Sequence, residues 1–262
     1  MEGNINTTFS EIEIAGERAL SRTTGGVRMA FGLGPATAGE SSELRSLEIL
    51  KALHPEIQGL RWGRQVHGSE VAVVANEAGV GVTGSVCIGS CDAFVTAEAG
   101  VGLMVWTADC VPILLGGPGV VAAIHSGWRG TAADIVGVVL RRLERDCGVS
   151  PDQLWAALGP AISGTHYEVG PEVIAALETL GLESDEWRRR DRVDLRLFLA
   201  SRLRQLGVDG GSIGFIGPCT YSSPHLASYR RDGNEAGRQF SLIYRRDGDV
   251  EAAGDGARCP RS

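Results

Sequence analysis

The sequence predicts one domain of mixed α and β structure, and three observations carry that expectation. Its 262 residues suit a single large compact unit. Hydrophobic residues at 43% and charged residues at 22% fall in the globular range, enough to bury a sizeable core. Glycine, with 37 residues, is about twice the usual share of roughly 7%. These glycines break up short apolar runs that alternate with stretches of helical period, a pattern of many tight connections.

Taken in order, residues 26–34 and 60–66 are short glycine-punctuated segments, and Glu43 to Leu53 between them has a period near 3.6 and reads as a helix. A series of strands is expected at 71–74, 93–96, 101–106, 111–115 and 120–124, separated by Gly, Pro or Asp turns. Gly130 to Asp146 switches to helical spacing, with Ile135, Val139 and Leu143 on one stripe and Gly148 as the stop. Beyond it the pattern gives a strand at 154–158, a helix over 171–180 opened by Pro171, and a longer helix over 194–206 with Asp194 at its start. Strands at 212–216 and 239–244 close the domain, which is expected to span 1–246. The Gly-rich polar stretch 247–262, with Cys259, reads as a disordered tail.

A formal net charge of -7 argues against a nucleic-acid backbone as the main partner, because that binding needs clustered positive charge. Met1 to Ser10 has neither a basic start nor an apolar stretch, and no segment reaches the ~18 apolar residues of a membrane helix, so no membrane association is expected. The six cysteines lack the compact even spacing of a disulfide-stapled secreted domain. Reduced thiols and a cytoplasmic location are the expectation, as a monomer or homodimer.

Three segments set a metal-competent side chain beside an apolar strand: Arg64-Gln65-Val66-His67, Thr107-Ala108-Asp109-Cys110, and His125-Ser126-Gly127-Trp128-Arg129-Gly130. A hairpin connection would bring Cys110 and His125 together, with His67 joining from a neighbouring strand end. A thiolate and two imidazoles suit Zn²⁺, and three protein ligands leave the fourth tetrahedral position for water or substrate. The spacing forms neither CxxC nor HExxH. Singly, the cysteine reads first as a small buried hydrophobe and each histidine as a hydrogen-bonded structural residue.

The segments RQVHG (64–68), CDAFVT (91–96), TADCVPILL (107–115), AAIHSGWRGT (122–131), GPAI with YEVGPEV (159–162, 167–173), and CTY with SYRRDGNEAGRQFSLI (219–221, 228–243) closely resemble the YfiH-type laccase-domain family. The resemblance runs over about residues 24 to 244. It implies an α+β fold in which mixed β-sheets pack as a sandwich flanked by helices, and a zinc site made by His67, Cys110 and His125. It also implies the activity by which that family is described: phosphate-dependent cleavage of purine nucleosides (adenosine, inosine and methylthioadenosine) together with adenosine deaminase activity, under a former description as multicopper polyphenol oxidases. The chain departs from the family's pattern at Ala161, where a Cys is usual, at Ala227, where an aromatic is usual, and at Arg28, where a Ser is usual.

Phosphorolysis needs an anion site beside the ribose, and arginine grips phosphate oxygens bidentately. Arg64 and Arg129 are the candidates, Arg129 being helped by the N-terminus of the helix expected from 130; Gln65 is assigned with them to substrate binding. Asp92 is the candidate for general acid/base work or ribose contact, whereas Asp109 either orients a ligand histidine or caps a turn. Arg230 and Arg231 read as a solvated face ahead of the alternative that they reach the pocket rim, and Cys219 as buried rather than reactive. Deamination would call on the metal's effect on water, but the HxE and PCxxC signature of cytidine deaminases is absent.

Three other readings compete. A four-copper laccase needs more histidines than the five present, His54, His67, His125, His166 and His225, although one Cu²⁺ in the same site would allow slow phenol oxidation. A cysteine hydrolase would use Cys110 as nucleophile and His125 as base, with no need for His67. A non-catalytic zinc-binding protein would need the metal alone.

Overall fold

The computed structural model describes residues 8–34, 41–75 and 83–246; the expected tail at 247–262 lies outside them. The chain runs through β1 (Ser10–Ile14), β2 (Glu17–Thr24), β3 (Val27–Gly32), α1 (Ser42–Leu53), β4 (Gly59–Arg64), β5 (Val71–Val74), β6 (Gly84–Ser90), β7 (Ala93–Thr96) and β8 (Val101–Thr107). It continues with β9 (Val111–Gly117), β10 (Val120–Ser126), α2 (Trp128–Ala132), α3 (Ile135–Cys147), β11 (Trp155–Leu158), α4 (Pro171–Glu178) and α5 (Ser184–Trp187). The two-residue strands β12 (Arg188–Arg189) and β13 (Arg192–Val193) precede α6 (Leu195–Gln205), β14 (Ile213–Phe215), α7 (Tyr229–Asp232) and β15 (Gln239–Arg245).

A seven-stranded sheet, ordered β1-β2-β3-β15-β8-β4-β6, faces a six-stranded sheet ordered β14-β11-β9-β10-β7-β5. Both are mixed: β4 pairs in parallel with β8 and β6, and β7 in parallel with β5, while β9 and β10 form an antiparallel hairpin. The continuous apolar runs follow from burial on both faces. Along β10, Val121 and Ala123 point into the layer between the sheets, with Met29, Phe31 and Val105 of the opposite sheet, whereas Val120, Ala122 and Ile124 face a second core. That second core is closed by the apolar stripe of α3 and by Phe198, Leu199 and Leu203 of α6. A third core lies on the far side of the seven-stranded sheet, where Ile49 and Leu53 of α1 cover Leu60, Met104 and Leu242. The expected sandwich flanked by helices is the architecture found.

Several boundaries differ from the sequence expectation. The helix expected over 130–146 is two helices, because Asp134 adopts φ 57° and breaks it; α3 then ends at Gly148 (φ 69°), the expected stop. Asp194 caps α6 as expected, accepting from the amides of Arg196 and Leu197. β1, β2 and β6 were not expected. Their sequences (SEIEI, ERALSRTT, GSVCIGS) carry no apolar run, since β1 and β6 are the edges of the sheet and β2 lies beside one. Among the described residues no helix is long and apolar enough to cross a membrane. Cys87, Cys91, Cys110 and Cys219 are free thiols, but Cys147 is disulfide-bonded, which departs from the expectation of reduced cysteines throughout.

Candidate metal centre

Three connections at one end of the sandwich bring His67, Cys110 and His125 together. The loop from β4 to β5 and the turn from β8 to β9 both pass from one sheet to the other, carrying His67 and Cys110. His125 is the penultimate residue of β10, paired with Pro112 across the hairpin. One ligand atom from each of the three lies within 4.8 Å of the others, close enough for small side-chain movements to give one ion bonds of about 2.0–2.3 Å. The two imidazoles meet edge to face with centroids 4.9 Å apart. His125 is buried, Cys110 half-buried and His67 exposed, so the group opens on the His67 side.

The backbone is shaped for this. His67 and Asp109 adopt φ values of 61° and 83°, conformations that side-chain-bearing residues rarely take and that are found where function holds them. A Cβ on Gly127 would stand 2.9 Å from Cys110 Sγ and 3.0 Å from His67 Cδ2, so a glycine there keeps the space between the ligands clear. A Cβ on Gly130 would stand 2.9 Å from the Gly68 carbonyl, which lets α2 press against the His67 loop. Thr131 fastens the same turn, donating to the Gly127 carbonyl at 2.9 Å.

Asp92, fully buried, holds both histidines. Its Oδ1 accepts from the His67 amide (3.0 Å) and from His125 Nδ1 (2.8 Å). Its Oδ2 accepts from the amides of Val66 (3.1 Å) and Gly68 (2.9 Å). The positive φ at His67 turns three successive amides toward one carboxylate, a nest of the kind that binds anions. Burial pushes the Asp92 carboxyl up, but the His125 and amide hydrogen bonds outweigh it and hold it below the usual range. With Nδ1 tied to Asp92, His125 presents Nε2 to the centre. Both Asp92 oxygens thus accept from donors that fix the His67 loop and the His125 ring. The orienting role offered to Asp109 belongs to Asp92. Asp109 instead braces the cavity wall, accepting from Thr220 Oγ1 and the Arg230 amide at 2.6 Å each.

In the metal-free chain, burial pushes the Cys110 thiol up, but the neighbouring imidazoles prevail and hold it at about 6. Burial pushes His125 down, and Cys110 with Asp92 reverses this, raising it to about 9. A thiolate beside an imidazolium is a soft donor set ready to exchange its proton for a cation.

The centre forms part of a cavity of about 980 Å³ whose wall includes Arg64, Arg129, Arg230 and Arg238. Arg64 and Arg129 are exposed and make no side-chain hydrogen bond or ion pair among the described residues; Arg129 rests on the Trp128 ring, 4.3 Å from its centroid. Arg230, exposed, lies 5.0 Å over the Tyr167 ring and donates to the Glu168 carbonyl, which places it on the cavity rim. Arg231 turns inward onto the carbonyls of Thr220, Tyr221, Ser223 and Leu226. Gln65 reaches the cavity, and both ends of its amide pair with the backbone of Trp106, at 2.6 and 2.8 Å, which fixes its orientation and leaves one N–H and one lone pair. The dipole support expected for Arg129 is also reduced, since α2 has five residues and α3 begins only at Ile135. Arg238, Tyr167 and Tyr229 line the cavity without having been singled out in the sequence. Arg28 and Ala227 do not line it: Arg28 pairs with Glu56 at 2.6 Å and Ala227 is buried.

A family model described as multi-copper polyphenol oxidoreductase laccase matches residues 39–246. A Deinococcus radiodurans protein named purine nucleoside phosphorylase is 38% identical over 166 residues, 62% of this chain and 65% of its own length, so the chain spans just under two thirds of that relative. A Streptomyces griseus protein of the same name is 36% identical over 223 residues, 82% of this chain and 84% of its own. The crystal structure of Bacillus licheniformis hypothetical protein YfiH superposes with a TM-score of 0.74 at 22% identity, covering 84% of this chain and 93% of that one; this likeness concerns the fold.

Proposed function

Since the chain belongs to the multi-copper polyphenol oxidoreductase laccase family, we propose that it is a zinc-dependent purine nucleoside phosphorylase, with residues 1–246 as one catalytic unit. The observation that carries the reading is the juxtaposition of an open His67-Cys110-His125 group with unpaired Arg64 and Arg129 in one large cavity. The names of the Deinococcus and Streptomyces relatives point the same way. Two imidazoles, a thiolate and a space that a Cβ would fill suit Zn²⁺ with one open position. Among the described residues this is the one such cluster, which fits a single ion better than several coppers. The bound ion supplies Lewis-acid polarisation of the substrate. Asp92 fixes the two histidines, and Arg64 and Arg129 hold phosphate as its oxygen bonds to C1′ of the ribose and the bond to the base breaks. Adenosine, inosine and methylthioadenosine are the proposed substrates, with adenosine deamination as a second reaction. Chromatography of products formed with and without phosphate tests this. Free adenine or hypoxanthine that needs phosphate and disappears in Cys110→Ala is the expected result; no product from zinc-loaded protein overturns it.

One observation favours a second reading. Asp92, His125 and Cys110 form a carboxylate–imidazole–thiolate series, the order of a cysteine hydrolase. His67 separates the two, since a metal uses it and a triad does not. His67→Ala abolishes phosphorolysis in the first reading and leaves hydrolysis in the second.

A further inference from the structure

Another cysteine stands beside a histidine outside the metal centre. Cys219 follows β14, where it forms a bridge with Ala161. Its sulfur accepts from the Ser163 amide at 3.3 Å and the Ser163 hydroxyl at 3.2 Å, and lies 3.7 Å from His166 Nδ1. The His166 ring is stacked on Tyr221, with centroids 4.9 Å apart and planes at 27°. Cys219 and His166 are both only half-buried. The remaining free thiols have other settings. Cys110 is a metal ligand candidate, Cys91 is buried and its thiol is pushed up to about 11 by that burial, and Cys87 is half-buried with no hydrogen bond to its sulfur among the described residues.

We propose that Cys219 is a thiol–disulfide exchange site that takes a low-molecular-weight disulfide, with Ser163 and His166 holding its sulfur for attack. The Cys219 sulfur bonds to one sulfur of the reagent, the reagent's S–S bond breaks, and its other half leaves as a thiolate that takes up a proton from water. Cys219 is oxidised to the mixed disulfide as that half is reduced. Burial pushes the Cys219 thiol up, but hydrogen bonds from Ser163 and Ser222 outweigh it and hold it at about 6. The other charged or titratable groups around it are His166 and Tyr221, Asp194 on the Gly164 amide, Arg192 on the Thr165 carbonyl, Arg196 on the Gly217 carbonyl, Arg231 on the Thr220 and Tyr221 carbonyls and Asp109 on the Thr220 hydroxyl. Thr220, next in the chain, braces Asp109 in the cavity wall, so an adduct on Cys219 presses on that wall. The inference stands apart from the phosphorylase reading.

The test uses zinc-loaded full-length protein at pH 6 with excess glutathione disulfide, and separately with cystine, followed by peptide mass mapping over time. Cys219 and Cys87 are compared within one folded molecule. At that pH the gain in thiolate exceeds the loss in nucleophilicity that accompanies a lower pKa, so Cys219 is expected to react on the order of tenfold faster than Cys87. Its rate should level off above a midpoint near pH 6, and Ser163→Ala and His166→Ala should move that midpoint upward. Equal rates for Cys219 and Cys87, or a Cys219 rate still rising through pH 8 to 9, would overturn the proposal. An unchanged midpoint in both variants would overturn the part assigned to Ser163 and His166.

Discussion

The two cysteine–histidine pairs differ in what stands behind the histidine. His125 has a fully buried carboxylate at Nδ1, and the same carboxylate gathers the amides of the loop that carries His67. Among the described residues the Nδ1 of His166 meets no carboxylate but the hydroxyls of Ser163 at 3.1 Å and Thr165 at 2.9 Å and the Cys219 sulfur at 3.7 Å, on a half-exposed edge. A buried charge commits its neighbours to one geometry, because leaving it unpaired is costly, whereas hydroxyls rotate to suit. The first arrangement suits an ion that needs fixed ligands, and the second a thiol that must stay reachable.

Removing that difference should have the largest effect. Asp92→Asn places an NH₂ among four donors, and is expected to lower zinc affinity 10- to 100-fold and stability by about 3–5 kcal/mol, read by competitive zinc titration and chemical denaturation. The wild-type pH dependence has a definite sign. Since the folded carboxyl of Asp92 lies below its unfolded value near about 4, its contribution is present above that pH and is lost as pH falls through the lower folded value. The variant should lack this acid-side loss. Gly127→Ala sharpens the comparison by perturbing the ligands alone. With φ at -82° the backbone accepts alanine, but the new Cβ meets Cys110 and His67, so zinc should bind roughly tenfold more weakly while the metal-free melting temperature barely moves.

Proton release gives a smaller, direct signal. At pH 7.5 Cys110, held at about 6, is already a thiolate, whereas His125, raised to about 9, carries a proton that the metal must displace. Calorimetry in buffers of different ionisation enthalpy should therefore find about one proton released by this pair on zinc binding; none would mean that the pair is not ionised as described. The smallest effect belongs to Gln65→Leu, which breaks two hydrogen bonds to Trp106 and should cost about 1–3 kcal/mol of stability with zinc affinity unchanged.

The same contrast explains what could be read from the chain. β8, β9 and β10 are legible because both of their faces are buried, and the ligand candidates because Cys110 lies in the turn between β8 and β9, His125 near the end of β10 and His67 between β4 and β5. The edge strands β1 and β6 carry no apolar run, so pattern alone misses them. The role of Asp92 depends on the β7–β10 register, in which Ala93 faces Ile124 and thus brings Asp92 to His125 across 33 positions. CDAFVT and AAIHS set Asp92 and His125 at the ends of apolar runs, but their meeting becomes readable only once the strands are paired. The pairing of the Gln65 amide with the Trp106 backbone is hidden for the same reason, since it joins residues 41 positions apart.

The most direct test of the central claim is the zinc content of the full chain beside His67→Ala, Cys110→Ala and Cys219→Ala, measured by elemental analysis after removal of loosely bound metal. The account predicts about one zinc per chain in the wild type and in Cys219→Ala, and none in the other two. Full zinc retention by His67→Ala and Cys110→Ala would contradict it.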